Sequence, residues 1–207
     1  MASQQNSATA SIAGSSHDRI LHAAKRLFAS RGYENTSTVA IARQAGTSES
    51  QLMKHFGSKE GLLEAVFDEG WGRLSLFVVA NDTEHTPQQR LRKLLDLMLS
   101  GMDHDPELKQ LMLLEGRRIR KEGQMVMLTR GFTEFIRVLD GVLAQMREAG
   151  QLRRELNPEA VRSALIGMFE GLLRDQLLAE KAGFPSGYGS KEMRQIFDVF
   201  AQALAGK

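Results

Sequence analysis

The chain has 207 residues, 42% of them hydrophobic and 25% charged, with a net charge of +2 and no cysteine. That apolar fraction suffices for a buried core, and the missing thiols exclude disulfides, cysteine metal sites and a cysteine nucleophile. No apolar run approaches the ~18 residues of a membrane span, so no membrane partner is expected and a reducing, cytoplasmic location is. Charge is unevenly spread: His17–Glu60 holds seven Lys or Arg against four Asp or Glu, and the remainder holds 20 against 21. A modestly basic N-terminal unit on a near-neutral body is compatible with phosphate binding.

The opening MASQQNSATASIAGSS has neither the basic nor the apolar region of a signal peptide, and residues 1–13 are expected to form a disordered polar tail. From there the chain reads as all-α, with no period-2 strand. A first helix is expected over about Asp18–Ser30, with Ile20, Ala24, Leu27 and Phe28 on one face, Ser15 or Ser16 as its cap and Gly32 at its end. A second follows Thr36-Ser37 and stops at Gly46. A third runs from Ser48 to near Gly57, and a fourth from Ser58 to about Ala80. Beyond Asn81, three pairs (Thr86-Pro87, Asp105-Pro106 and Asn157-Pro158) place a capping residue before a proline at the first helical position. Apolar stripes follow: Leu91 to Met102, Leu108 to Met112, Phe132 to Met146 ending at Gly150, Val161 to Leu173, and Met193 to Leu204. The Gly- and Ser-rich segment 182–190 reads as a loop.

Two short helices around a tight turn, followed by a charged turn into a third, make Thr36–Glu60 the most informative stretch. That order places one helix in the major groove of DNA while its neighbours hold the backbone. Ser48 caps the reading helix, and Gln51 three residues on satisfies a capping box; the same Gln51 suits adenine N6 and N7 in the major groove, and both readings stand. Ser50 and Glu49 share the exposed front. Glu49 either accepts from cytosine N4 or is a first-turn acid favouring the helix dipole. Leu52 and Phe56 pack inward, leaving Lys54 and His55 toward the backbone. Lys59 opposes the macrodipole of the fourth helix at about 0.3–1 kcal/mol, a cost that a phosphate at that helix start, Glu60 or solvent removes. Thr36 and Ser37 are N-cap candidates whose hydroxyls also suit phosphate.

AAKRLFASRGYENTS (23–37), IARQAG (41–46), Ser48, the Leu52-x-x-His55-Phe56 pattern and SKEGLL (58–63) together resemble the DNA-binding domain of TetR-family transcriptional regulators. The resemblance implies a three-helix helix-turn-helix domain over 14–74, with the motif at about 37–56. It also implies a larger helical ligand-binding and dimerisation domain over 75–207. By position, Thr36, Ser37, His55 and Lys59 would contact the backbone, and Ser48, Glu49, Ser50 and Gln51 would face the groove. The chain departs from the pattern at Met53, where a phosphate-holding tyrosine is usual, and at Thr38, where an apolar residue is common.

The second half resembles the family only in outline, through Glu115-Gly116-Arg117-Arg118 and GQLRRELNPEAV (150–161). Family members usually pair their last two helices with a second copy, which makes Val161, Leu165, Met168, Leu172, Ile196, Phe197, Phe200 and Leu204 the candidate dimer surface. Trp71, Met98, Met102, Met112, Phe132 and Phe135 are candidate walls of an adaptable apolar cavity, although at helical spacing each also reads as core. The cluster Arg117, Arg118, Arg120 and Lys121 reads as a solvated face.

The function expected is a homodimeric, sequence-specific transcriptional regulator of double-stranded DNA, a repressor released from a palindromic operator by a small-molecule effector. A helical protein-interaction module is the alternative. An enzyme is a weaker one, since the five histidines lack metal-ligand spacing, no G-x-S-x-G elbow exists and no cofactor or metal is expected.

Overall fold

The computed structural model describes residues 14–72, 79–114 and 129–205, and among them every regular element is a helix. The helices are α1 (Ser16–Arg31), α2 (Thr38–Gln44), α3 (Glu49–Phe56), α4 (Lys59–Gly72), α5 (Pro87–His104), α6 (Pro106–Leu114), α7 (Arg130–Glu148), α8 (Pro158–Ala182) and α9 (Ser190–Ala203). The expected tail, the far end of the fourth helix over 73–78 and the basic cluster at Arg117–Lys121 lie outside the described residues. Two compact units divide between Val66 and Phe67, inside α4.

In the first unit, α1 packs on both α2 and α3. Ser15 caps α1, its hydroxyl accepting from the Asp18 amide while Asp18 answers at the Ser15 amide. Ile20, Leu27 and Phe28 are buried on its inner face against Ile41 of α2 and Leu52 of α3 in one small core. Arg19 reinforces the packing by donating to the Ala45 carbonyl at the end of α2, 3.1 Å away. That acceptor is one of the carbonyls a helix C-terminus leaves open.

In the second unit, α5 is central, packing on α6, α7 and α9, while α8 covers α6 and α7. All three cap-proline pairs start helices: Thr86 closes a full capping box with Gln89, Asp105 accepts from the Leu108 amide, and Asn157 from the Ala160 amide. The buried Arg90 of α5 donates to the Val79 and Ala80 carbonyls and to the Gln145 side chain of α7. One guanidinium thus satisfies exposed carbonyls ahead of Asn81 and fixes α5 to α7, the kind of buried charge that stays only when fully hydrogen-bonded.

Candidate functional site

The reading helix is held by one deep residue. Leu52 is fully buried, Phe56 is half-buried under the His17 ring at 4.8 Å, and Glu49, Ser50, Gln51, Met53, Lys54 and His55 are all exposed. Taken around the helix, Ser50 and Lys54 point directly away from Leu52, with Gln51 and Met53 on their flanks. The turn out of α3 is tight. Gly57 takes φ 72°, and a Cβ on Gly61 would stand 2.3 Å from the Phe56 carbonyl oxygen, so only glycine lets α4 begin so close to α3.

Ser48 caps α3 by accepting from the Gln51 amide at 3.2 Å. The reciprocal half of the expected capping box is not made: among the described residues the Gln51 side chain has no hydrogen-bond partner. That corrects the local explanation for Gln51 and leaves its amide pointing into solvent. Ser50 shares a 3.0 Å hydrogen bond with Ser48. Glu49 accepts from the Thr38 hydroxyl of α2. His55 is tied back to the start of α1, its Nε2 lying 2.8 Å from the Ser16 hydroxyl and its ring edge-on to His17.

One expected backbone contact, Thr36, is corrected. Thr36 is buried and donates its one hydroxyl proton to the Gly32 carbonyl at 2.8 Å, so that side chain is not available to a phosphate. Ser37 is the cap of α2; it is exposed, accepts from the Ala40 amide and keeps its own proton to donate. For Lys59, a phosphate, Glu60 or solvent are the partners the sequence suggests; in the structure its ammonium lies 4.2 Å from the centre of the Tyr33 ring. The ring face supplies about 0.5–1 kcal/mol, comparable to the dipole cost at a helix start. Lys59 remains half-exposed, held in place rather than swinging free. Beside it, the Glu60 carboxyl is held below its usual range by its own backbone amide and then by the Tyr33 hydroxyl.

The second unit contains a cavity of about 290 Å³. All six residues expected as walls line it: Trp71, Met98, Met102, Met112, Phe132 and Phe135. Trp71 stacks on Phe135 at 5.1 Å and leans on Phe132 at 5.6 Å. Among the described lining residues, Thr129 and Glu170 carry the polar exceptions in an otherwise apolar and aromatic wall. The Asp68 carboxylate of α4 accepts from the Gly131 amide in the first turn of α7, and a Cβ at Gly131 would sit 2.4 Å from Trp71. Asp68, Phe169 and Glu170 were not singled out in the sequence; Phe169 follows Leu165 by one turn and was legible on that ground, whereas Asp68 and Glu170 gave no local signal. No group of three or more metal-ligating side chains forms among the described residues.

The expected dimer surface is corrected in half its members. Val161, Leu165, Phe197 and Leu204 are buried within the chain itself, and Leu165 lines the cavity. Met168, Leu172 and Phe200 are half-buried, and Ile196 is 48% exposed. Val199, three residues after Ile196 and 64% exposed, belongs to the same outer face.

Residues 20–66 match the family model described as bacterial regulatory proteins, tetR family. The chain is 24% identical over 153 residues to the fatty acid metabolism regulator protein of Bacillus subtilis, spanning 73% of this chain and 78% of the relative. It is 27% identical over 165 residues to the nucleoid occlusion factor SlmA of Vibrio atlanticus, spanning 75% and 81%. In fold it is similar to the Bacillus subtilis transcriptional regulator FadR solved with stearoyl-CoA, with a TM-score of 0.75 at 20% identity, covering 92% of this chain and all of that one.

Proposed function

We propose that this chain, whose residues 20–66 match the tetR family model, is a DNA-binding transcriptional regulator of that family and acts as a cytoplasmic homodimeric repressor released from a palindromic operator by an apolar effector. Ser37, Ser48, Ser50, Gln51, Lys54 and Lys59 form the DNA-contacting set in this reading. Gln51 and Ser50 address base edges, while Ser37, Lys54 and Lys59 address phosphates. Glu49 shares the front of the helix, and His55, bonded to Ser16, flanks it.

The observation that carries the proposal is the composition of α4. Its first residue, Lys59, belongs to the unit with the reading helix, and Asp68 and Trp71 belong to the wall and support of the cavity. An effector that displaces Trp71 acts on the same continuous helix that starts with Lys59. In a dimer, that displacement alters the separation of two reading helices, which must match half-sites about one duplex turn apart (~34–36 Å). Moving the population from 1:99 to 99:1 takes a preference of about 5.5 kcal/mol between the two states.

The chemistry of the wall supports an effector that is apolar over most of its surface, as does the stearoyl-CoA named in the FadR structure. Ile196, Val199, Phe200, Met168 and Leu172 supply the mating face of the dimer. Trp71 is the only tryptophan, so its fluorescence reports directly on the cavity. Titrating apolar metabolites and acyl thioesters while recording both Trp71 emission and operator binding tests the link. Compounds that quench Trp71 should release DNA at the same concentrations; quenching with operator affinity unchanged contradicts it.

A further inference from the structure

We infer that Glu49 is a specificity-determining residue that selects a cytosine in the major groove, and that Thr38 is the positioning residue that holds it there. The inference rests on the DNA-reading role of α3 given above and goes on to name one base and the device that selects it.

A carboxylate on a surface that approaches phosphates lowers affinity through like-charge repulsion, so its exposed place at the front of α3 calls for a compensating contact. Among base edges in the major groove, the donor a carboxylate recognises is the cytosine N4 amine. Glu49 is the first residue of α3, and the N-terminal residues of a recognition helix are the ones that meet base edges. Its carboxylate is not loose: the Thr38 hydroxyl, from the first turn of α2, donates to Oε1. A carboxylate offers about four acceptor positions, so one bond to Thr38 fixes the group and leaves Oε2 for a base. The brace removes rotamer freedom before DNA arrives, which lowers the ordering cost of the contact with the base that the carboxylate fits.

The test is selection of duplexes from a random pool by the full-length protein, with the variants Glu49→Ala, Glu49→Gln and Thr38→Val carried in parallel. Circular dichroism and affinity for non-cognate DNA serve as readouts of intact folding. Wild type should enrich half-sites with a cytosine at one position. Glu49→Ala should abolish that preference and Glu49→Gln should move it toward adenine. Thr38→Val, nearly the same shape, should weaken the cytosine preference by about tenfold with helicity and non-cognate affinity unchanged. A selected sequence that Glu49→Ala leaves intact overturns the assignment. Loss of the preference in Glu49→Ala but not in Thr38→Val overturns the positioning role. Absence of any enriched sequence with wild type overturns the regulator reading itself, a result distinct from both.

Discussion

The Asp68 carboxylate accepts a 2.7 Å hydrogen bond from the Gly131 amide, so a side chain of α4 helps to cap α7 at the edge of the cavity. Thr129 caps the same helix through the Phe132 amide, and Phe132 and Phe135 on its first turns complete the aromatic wall with Trp71. The link is short and polar, and it ties the position of α4 to the part of α7 that an effector would touch.

Replacing Asp68 with Ala removes one of two caps on α7 and should lower stability by about 0.5–2 kcal/mol. Its larger effect should be on coupling. Operator affinity without effector should stay near wild type, and the effector concentration needed for release should rise. Thermal melts alongside an effector titration separate the two effects; release at wild-type concentrations means the bond serves stability alone.

Gln51 and Lys59 should fail in different ways. With its side chain free of internal hydrogen bonds, Gln51→Ala should leave the melting temperature near wild type and relax base preference at one position by about 1–3 kcal/mol. Lys59→Ala should weaken binding to all sequences alike and reduce the magnitude of the salt slope by about two, one for each subunit of the dimer. Its stability should stay near wild type, because the lost Tyr33 contact and the relieved helix-dipole cost are of similar size. Comparing selected and scrambled duplexes by fluorescence anisotropy checks both.

Val199→Glu places a charge at the most exposed apolar position of α9. In the proposed dimer it should shift sedimentation toward the monomer and reduce operator affinity, with helicity retained because the side chain is not part of the chain's own core. A dimer of unchanged mass would place the mating face elsewhere.

Asp82 is paired with Lys93 at 2.8 Å and His85 at 2.9 Å, and it accepts from the Glu84 and His85 amides. These bonds, Lys93 first and His85 next, hold its carboxyl well below the ordinary range. Asp18 and Glu192 are lowered by hydrogen bonds of the same kind. A group with a depressed folded pKa contributes stability that is present above its unfolded pKa, about 4 for aspartate, and lost as pH falls through the folded one. Acid unfolding should therefore set in below about pH 4, and Asp82→Asn should flatten that dependence while lowering stability at pH 7. Denaturant melts across pH 2–7 provide the check; identical slopes for the two proteins would remove Asp82 from the account.

What was legible in the sequence was local. Ser15, Thr86, Asn157 and the glycine after α3 act through neighbours three or four residues away, so their chemistry is written in adjacent letters. The Lys59–Tyr33 contact and the Asp68–Gly131 bond join residues far apart in the chain, and no spacing announces them. Thr36 looked like a surface cap because hydroxyl residues precede helices; burial against the Leu27 and Gly32 carbonyls made Ser37 the cap instead. The apolar stripe of α8 serves an inner and an outer face at once, and period alone could not assign Leu165 to the cavity and Met168 to the outside. Gln51 illustrates the remaining limit: the capping-box spacing was present, and the side chain did not close it.

The most direct measurement of the central claim is the affinity of the purified protein for its selected operator between 50 and 200 mM salt. A pair of reading units, each placing Lys54 and Lys59 on phosphates, should neutralise about four phosphates and lose about 10² in affinity over that range. An affinity that stays constant across the same salt concentrations would contradict it.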